Sequence, residues 1–375
     1  MVIEQSLESK VTSVKKQIIP FSRPTLSRNE LKSVLETLIH EDLAYGSGVV
    51  NFEREFAKAF DFQHAMACDS YTSAFHLSLM SVGLQKGDEI IIPASAPLAI
   101  IDAIHYVGGT PIICDLGRDS FHPQVTEIMK LISEKTKVIY LYYAFGSFQD
   151  YKDLYVQLEQ SGLKKNDRKI KVIEDISFNA GQEIKNTMVG SDADIAICGL
   201  NEEHLMTIGK GAVVLTDSNN TYAVLKDLRI HGGNRPYRMR FDYAITDYQA
   251  ALGLEQLGNL RAIVERRKKI GAFYNDALRS SKLISYFNAG DIDLYGFFPV
   301  IADTPLEHTQ RYFASLQIEI KRVFSAGPAY QLLGSSALNF PNAEKLYQKA
   351  VALPLYPLLN KASVEKVMMA IKGFY

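Results

Sequence analysis

Residues 193–217 read ADIAICGLNEEHLMTIGKGAVVLTD, two apolar runs separated by a polar segment that contains glycine. The runs Ile195–Leu200 and Ala212–Thr216 have the length and apolar content of buried β-strands. The segment between them carries His204 and the triplet GKG, a composition that is typical of a loop. The pattern therefore predicts two buried strands joined by a polar loop.

Further apolar runs of strand length precede this segment and alternate with stretches of helical spacing. The predicted strands are Ala65–Cys68, Glu89–Pro93, Pro111–Asp115, Lys137–Tyr143 and Lys171–Glu174. Helices are predicted between most of them, as at Ser73–Ser81 and Ala99–Val107. Seven strands with interleaved helices predict a mostly parallel sheet covered on both faces. Ligands of such sheets bind beyond the carboxyl ends of the strands.

A long charged helix is predicted after the last of these strands, over Thr246–Phe273. It carries three arginines, and the simplest interpretation places them on a solvated face. These arginines are Arg261, Arg266 and Arg267.

The composition is that of an ordinary globular protein, with 375 residues, 47% hydrophobic and 22% charged. The length predicts two domains. The net charge of −1 provides no field that would attract nucleic acid or an anionic membrane. No apolar run approaches the length of a membrane span. We therefore expect neither nucleic acid nor a membrane among the partners.

The three cysteines, Cys68, Cys114 and Cys198, are widely spaced, and each lies in an apolar run. An odd number in such positions favours core thiols over disulfides or a metal site. We therefore expect no bound metal and a cytoplasmic location. Residues 1–17 are polar and lack a hydrophobic signal core, so they are predicted to form a flexible extension.

The 193–217 segment resembles the strand–loop–strand that holds the catalytic lysine in the DegT/DnrJ/EryC1/StrS family. These sugar aminotransferases depend on pyridoxal phosphate (PLP), and their pattern is approximately S-F-H-x-x-K-x-x-T-x-G-E-G-G. Gly199, Asn201 and His204 stand at the positions of its serine, histidine and lysine. The threonine and two glycines of the pattern are retained as Thr207, Gly209 and Gly211.

The resemblance extends from about Pro20 over nearly the whole chain. YGSG at residues 45–48 resembles the entry motif of the family, and LPLYP at residues 353–357 is a second marker. The resemblance implies an α/β architecture, PLP-transferase fold type I, with a mostly parallel seven-stranded sheet between helices. It implies a large domain over residues 18–255, whose first segment could pack on the small domain, and a smaller C-terminal α/β domain over residues 256–375.

The resemblance also implies where a cofactor would bind. Thr72 and the N–H of Ser73 stand at the phosphate-binding turn of the family, at a helix N-terminus that favours an anion. Helix capping by Ser70 or Thr72 is an equally good interpretation of this turn. Asp175 occupies the position of the family aspartate that keeps the ring nitrogen of PLP protonated. Asp242 occupies the position of a family asparagine that reaches into the site from the partner subunit.

Several positions depart from the family pattern. Tyr71 replaces the glycine of the phosphate turn and is expected to crowd it. Phe178 replaces a glutamine, and Gly199 replaces a serine that contacts the phosphate. Residues 93–97, PASAP, lack the aromatic side chain that would stack on the ring. The carboxylate of Asp242 would repel a phosphate dianion.

His204 cannot form a Schiff base, so lysine-dependent transamination is expected to be lost. Lys210 carries the nearby amine, and its side chain is predicted to point away from the position of His204. The number of departures favours a non-catalytic protein of polysaccharide biosynthesis. Such a protein would bind a nucleotide sugar or act as a partner subunit, in a homodimer or in a heterodimer with an active paralogue.

An enzymatic function stays open beside this one. Histidine at the lysine position also resembles the GDP-4-keto-6-deoxymannose 3-dehydratases, which use pyridoxamine phosphate (PMP) and a histidine base. Histidine has a suitable pKa for proton abstraction. The alternative is therefore a PLP- or PMP-dependent 3-dehydratase with His204 as its base. A loop histidine without a catalytic role is the third interpretation.

Overall fold

The structure is a computed structural model, and it describes residues 18–39, 43–164, 169–230, 239–287 and 296–375. The predicted extension over residues 1–17 lies outside the described residues. The α-helices are α1 (Arg28–Ile39), α2 (Ser47–Ala59), α3 (Tyr71–Ser81), α4 (Leu98–Val107), α5 (Val125–Lys130), α6 (Lys152–Gln160), α7 (Asn219–Arg229), α8 (Asp247–Leu278), α9 (Leu306–Ser315), α10 (Ala329–Leu332), α11 (Pro341–Lys349) and α12 (Lys361–Lys372). The strands are β1 (His64–Cys68), β2 (Glu89–Pro93), β3 (Thr110–Cys114), β4 (Thr136–Tyr142), β5 (Lys171–Asp175), β6 (Glu183–Ile184), β7 (Thr187–Met188), β8 (Ile195–Gly199), β9 (Ala212–Thr216), β10 (Phe298–Ile301), β11 (Lys321–Arg322) and β12 (Ala350–Leu353).

The central sheet has seven strands in the order β1-β9-β8-β5-β4-β2-β3. Every pair from β8 to β3 is parallel, whereas β9 runs antiparallel to both of its neighbours. The prediction of a mostly parallel seven-stranded sheet is confirmed. β8 and β9 are the two strands predicted from the 193–217 segment, and they pair directly, with Gly199 opposite Ala212.

The two faces of the sheet form two separate hydrophobic cores. Alternate residues of each strand enter opposite cores, as in β2, where Ile90 and Ile92 lie in one core and Ile91 in the other. The side chains of a strand alternate between faces, so an uninterrupted apolar run is buried on both sides. This explains why the strands were recognisable in the sequence as continuous apolar runs.

A second sheet, β10-β12-β11, is antiparallel and packs in a third core with α8 and α12. The first described residues join this part of the chain, because Ile19 pairs with Ile318 and lies in the same core. The predicted boundary between residues 255 and 256 falls inside α8, which is one continuous helix. The division into a large and a small domain stays a prediction.

The predicted solvated face of α8 is wrong for Arg267. This side chain is only 5% exposed, and its Nη1 donates to the carbonyl oxygens of Gly296 at 2.8 Å and Leu355 at 2.9 Å. A buried guanidinium must find acceptors, and here they are main-chain carbonyls. Arg267 therefore fixes the LPLYP segment to the long helix.

The YGSG segment is held by the first residue of α8. Asp247 accepts hydrogen bonds from the N–H groups of Gly46 at 3.0 Å, Gly48 at 3.1 Å and Val49 at 2.9 Å. A Cβ atom on Gly46 or Gly48 would lie 2.7 or 2.8 Å from the Asp247 carboxyl group. The two glycines are therefore required by the close approach of this carboxylate, which satisfies N–H groups at the start of α2.

All three cysteines are buried free thiols, as predicted. Burial raises the pKa of Cys68 and of Cys114 to about 12, so these thiols stay protonated. Within the described part of the chain, no helix combines the length and the apolar character needed to cross a membrane.

Candidate functional site

A cavity of about 890 Å³ lies at the carboxyl ends of the parallel strands, as the fold class predicts. The start of α3, the segment after β2 and the loop between β8 and β9 form one side of it, and residues 321–327 form another. Aromatic side chains dominate its wall. They are Phe21, Tyr71, Tyr106, Tyr142, Phe145, Phe178, Tyr243, Phe297 and Phe324.

Asp175 ends β5 below this cavity and is completely buried. Its Oδ1 accepts from the N–H of Ser177 at 3.0 Å and from the Ser177 hydroxyl at 2.5 Å. Its Oδ2 accepts from the hydroxyl of Tyr140 at 2.7 Å and from the hydroxyl of Tyr71. Burial raises the pKa of Asp175, and the hydrogen bonds from Ser177, Tyr71 and Tyr140 oppose that rise. Four donors satisfy this carboxylate.

Tyr71 is the first residue of α3, and its ring lies between the helix and the end of β5. The ring packs against Phe75, with centroids 4.8 Å apart, and against His204 at 5.1 Å. Burial and the adjacent Asp175 raise the pKa of Tyr71 well above its usual value, so the phenol keeps the proton that it donates. The expectation that Tyr71 crowds the phosphate turn is wrong, because its side chain turns inward to Asp175 instead.

The turn itself is closed by Ser70, the N-cap of α3. Its hydroxyl accepts from the N–H of Ser73 at 3.1 Å and lies 2.6 Å from the Ser73 hydroxyl. The capping interpretation of this turn is confirmed. Thr72 lines the cavity beside it. A phosphate-binding role for Thr72 and Ser73 stays a prediction, and the N–H of Ser73 is already hydrogen-bonded.

His204 lies in the cavity wall between two aromatic side chains. Its ring centroid is 5.1 Å from that of Tyr71 and 5.1 Å from that of Phe178. Its Nδ1 accepts a hydrogen bond from the N–H of Asn201 at 3.1 Å. Burial lowers the pKa of His204 to about 4, and a hydrogen bond with the Gly199 backbone opposes that shift. The imidazole is therefore neutral at pH 7.

The remaining predicted residues are further apart. Lys210 lies in the same β8–β9 loop as His204, is exposed and lines the cavity. Asp242 is exposed and does not line the cavity of its own chain. Its predicted position in a partner's site stays a prediction.

Tyr140 and Ser177 belong to the site but were not predicted. Tyr140 carries a hydroxyl within the apolar strand β4, and Ser177 lies two residues after β5. A hydroxyl in a buried strand must find a partner, and this was the available signal in the sequence. The identity of that partner depends on strand pairing, which places Tyr140 one strand away from Asp175.

Comparison with known proteins identifies the family. Residues 24–372 match the DegT/DnrJ/EryC1/StrS aminotransferase family. The chain belongs to this family.

Among relatives, GDP-perosamine synthase of Escherichia coli O157:H7 is 27% identical, over 95% of this chain and 98% of that protein. Spr1654 from Streptococcus pneumoniae, solved in its PLP form, has a TM-score of 0.88 at 24% identity and covers 95% of this chain and 98% of its own. A GDP-4-keto-6-deoxymannose-3-dehydratase, ColD, has a TM-score of 0.83 at 16% identity, over 94% of this chain and all of its own. The last two similarities establish the PLP-transferase fold.

The described residues of this family member do not fit PLP. The ring nitrogen of the cofactor needs a carboxylate acceptor, and Asp175 already accepts four hydrogen bonds from the protein. The phosphate needs N–H donors, and the Ser73 N–H, which was predicted as one of them, is bonded to Ser70. The Tyr71 hydroxyl lies on Asp175, and the ring of His204 packs against the ring of Tyr71.

Proposed function

We propose that this protein is a non-catalytic member of the DegT/DnrJ/EryC1/StrS family that binds a nucleotide sugar without transaminating it. The observation that carries the proposal is the environment of His204. This residue stands at the position that we align with the family lysine, and its imidazole is neutral and packs against two aromatic rings. An imidazole provides no primary amine for a Schiff base.

The cavity supports the binding part of the proposal. The Ser95 hydroxyl is buried at its wall and has no hydrogen-bond partner among the described residues. A buried hydroxyl without a partner is unfavourable unless a ligand or water satisfies it. Lys210, Arg322 and the Lys321–Glu203 ion pair add charged groups to the same cavity, which nine Phe and Tyr side chains also line. Aromatic walls with a few polar groups suit a nucleoside diphosphate that carries a sugar.

The relatives indicate the class of ligand. The Escherichia coli relative is a GDP-perosamine synthase by name, and it covers nearly the whole chain. A GDP-linked deoxy sugar is therefore the first ligand to test. Titration calorimetry should detect binding of this ligand to the protein without added PLP. Ser95→Ala should weaken it by roughly tenfold, as expected for one lost hydrogen bond to a charged or polar ligand.

The catalytic part of the proposal is tested by trapping. The protein is incubated with PLP and L-glutamate, reduced with borohydride and analysed by mass spectrometry. We expect no lysine to gain the mass of reduced PLP, Lys210 included, and no amino sugar to form from a GDP-4-keto-6-deoxy sugar. A labelled Lys210, or an amino sugar as product, would contradict the proposal.

The 3-dehydratase alternative gives a different result in the same assay. With PMP and a GDP-4-keto-6-deoxy sugar it predicts loss of the C3 hydroxyl, and His204→Asn should abolish that activity. The low pKa of His204 makes it a weak base, and its Nδ1 is already hydrogen-bonded. We therefore expect no dehydrated product from either protein.

The proposal includes a second subunit. Four apolar side chains of α1 are spaced along one helical face and are 47–79% exposed. They are Leu31, Leu35, Leu38 and Ile39. An exposed apolar stripe of this kind is typical of an interface. Light scattering should detect a dimer at micromolar concentration.

Two variants of α1 test whether the stripe forms that interface. Leu35→Asp should give monomers, whereas Lys32→Asp, a change at a charged position of the same helix, should not. If the wild type is a monomer, the homodimer is excluded and a heterodimer with a paralogue is the assembly left to test.

A further inference from the structure

The Asp175 carboxylate has reached its capacity for hydrogen bonds. A carboxylate offers about four lone-pair sites. Here Ser177 fills two of them, Tyr140 a third and Tyr71 the fourth. A further donor, such as the protonated nitrogen of a pyridine ring, could bind Asp175 only by displacing one of these groups.

Two of the four donors, Tyr71 and Tyr140, are phenols, and of these two Tyr71 lines the cavity. Its side chain is a planar six-membered aromatic ring with a single donor at the end that meets the carboxylate. A protonated pyridine presents the same two features. The phenol is 8% exposed and is contacted by the rings of Phe75 and His204.

The groups around Tyr71 hold its hydroxyl against Asp175. The Ser177 hydroxyl lies 3.4 Å from the Tyr71 hydroxyl and accepts from the N–H of Gly199 at 2.7 Å. The network therefore links the start of α3 to the ends of β5 and β8. Beyond His204, Phe178 packs against Phe297 with centroids 5.1 Å apart, which continues the aromatic contacts across the cavity.

We propose that Tyr71 is a built-in occupant of the cofactor site, a phenol that replaces the cofactor ring on Asp175 and excludes PLP and PMP. This inference builds on the proposed function but is separable from it. PMP carries its own amine and needs no lysine, so the loss of a Schiff-base lysine does not decide whether PMP binds. Under this proposal, the Tyr71 ring in front of Asp175 decides whether PMP binds.

The first test replaces the side chain by a free molecule. Tyr71→Gly should leave a ring-sized cavity beside Asp175, and p-cresol reproduces the missing side chain. We expect p-cresol to raise the melting temperature of Tyr71→Gly and to leave that of the wild type unchanged. Toluene has the same ring without the hydroxyl, so it should bind Tyr71→Gly roughly tenfold more weakly or worse.

The second test measures PMP binding by calorimetry. The wild type and Tyr71→Phe should show no saturable binding at millimolar PMP, because both keep a ring in the site. Tyr71→Gly should gain binding, and Tyr71→Gly/His204→Lys should turn yellow with PLP, whereas His204→Lys alone should stay colourless. Tyr71→Phe is the variant to rely on if Tyr71→Gly does not fold.

Two kinds of result would overturn the inference. Saturable PMP binding to the wild type or to Tyr71→Phe would refute it and leave the absence of transamination standing. A folded Tyr71→Gly protein that neither p-cresol nor PMP stabilises would refute it as well. An amino sugar made by the wild type would instead refute the proposed function.

Discussion

The imidazole ring of His204 fills the space beside Gly199. A Cβ atom added to Gly199 would lie 2.1 Å from Cε1 and 2.3 Å from Nδ1 of this ring, distances that real Cβ atoms essentially never show. Gly199 is also the last residue of β8, where its N–H donates to Ser177. The two positions are therefore coupled, because His204 can take this position only when residue 199 has no side chain.

This coupling predicts a non-additive pair of substitutions. Gly199→Ser should destabilise the protein by about 1–3 kcal/mol, because it overpacks a site that His204 already fills. In a His204→Ala background the same change should have little effect. Urea unfolding of the four proteins gives the coupling energy. Additive effects, within about 0.5 kcal/mol, would mean that His204 does not occupy this position.

Asp247 should contribute to the stability of the folded protein through its three hydrogen bonds to residues 46–49. Asp247→Ala removes all three acceptors and is expected to lower the free energy of unfolding by about 2 kcal/mol. Asp247→Asn keeps one carbonyl oxygen and should have a smaller effect. Urea unfolding measures both. Equal effects of the two variants would contradict the capping role of the carboxylate.

Arg229 and Glu53 form a buried ion pair next to β1. Arg229 also donates to the carbonyl of Ala67 at 2.9 Å, and Glu53 accepts from the N–H of the same residue at 2.8 Å. Arg229→Met leaves the Glu53 carboxylate buried without its cation and should cost about 3–5 kcal/mol.

The matched double variant isolates the charge. Adding Glu53→Gln removes the unpaired carboxylate but keeps an acceptor for Ala67, so Arg229→Met/Glu53→Gln should be more stable than Arg229→Met alone. Chemical denaturation of the three variants checks the order. A double variant that is less stable than the single one would show that packing, rather than the lone charge, dominates.

His122 should make the protein less stable in mild acid. It is buried, with Nε2 2.6 Å from the hydroxyl of Ser147 and Nδ1 3.2 Å from the carbonyl of Tyr142, and burial lowers its pKa to about 4. Between pH 6.5 and pH 4 the unfolded chain binds a proton at this histidine that the folded chain does not. Stability therefore falls as the pH decreases through this window, by about 2 kcal/mol from pH 7 to pH 4.5.

The contribution of His122 is separated from that of other groups by His122→Gln. This variant has no titrating ring, so its free energy of unfolding should fall less than that of the wild type between pH 7 and pH 4.5. The difference between the two falls is the measured quantity. Equal falls would mean that His122 is protonated in the folded protein.

The sequence by itself determined the central sheet and its family. Apart from the edge strand β3, the strands of the central sheet are buried on both faces, so they appear as apolar runs that can be recognised without their neighbours. The end of β5 was predicted in the same way, and with it the position of Asp175 at the edge where ligands bind. The helix cap at Ser70 was also available as a local pattern.

Only the tertiary structure decided what the site contains. Tyr71 and Asp175 are 104 residues apart, and Gly46 and Asp247 are 201 apart, so neither contact leaves a periodic signal in the sequence. The predicted solvent exposure of Arg267 is wrong for the same reason, since its acceptors are carbonyls of residues 29 and 88 positions away. A composition pattern reports whether a side chain is apolar or charged, but the direction in which a side chain points depends on how distant elements pack. For Tyr71 that direction leads to Asp175, the residue that we align with the cofactor-binding aspartate of the family.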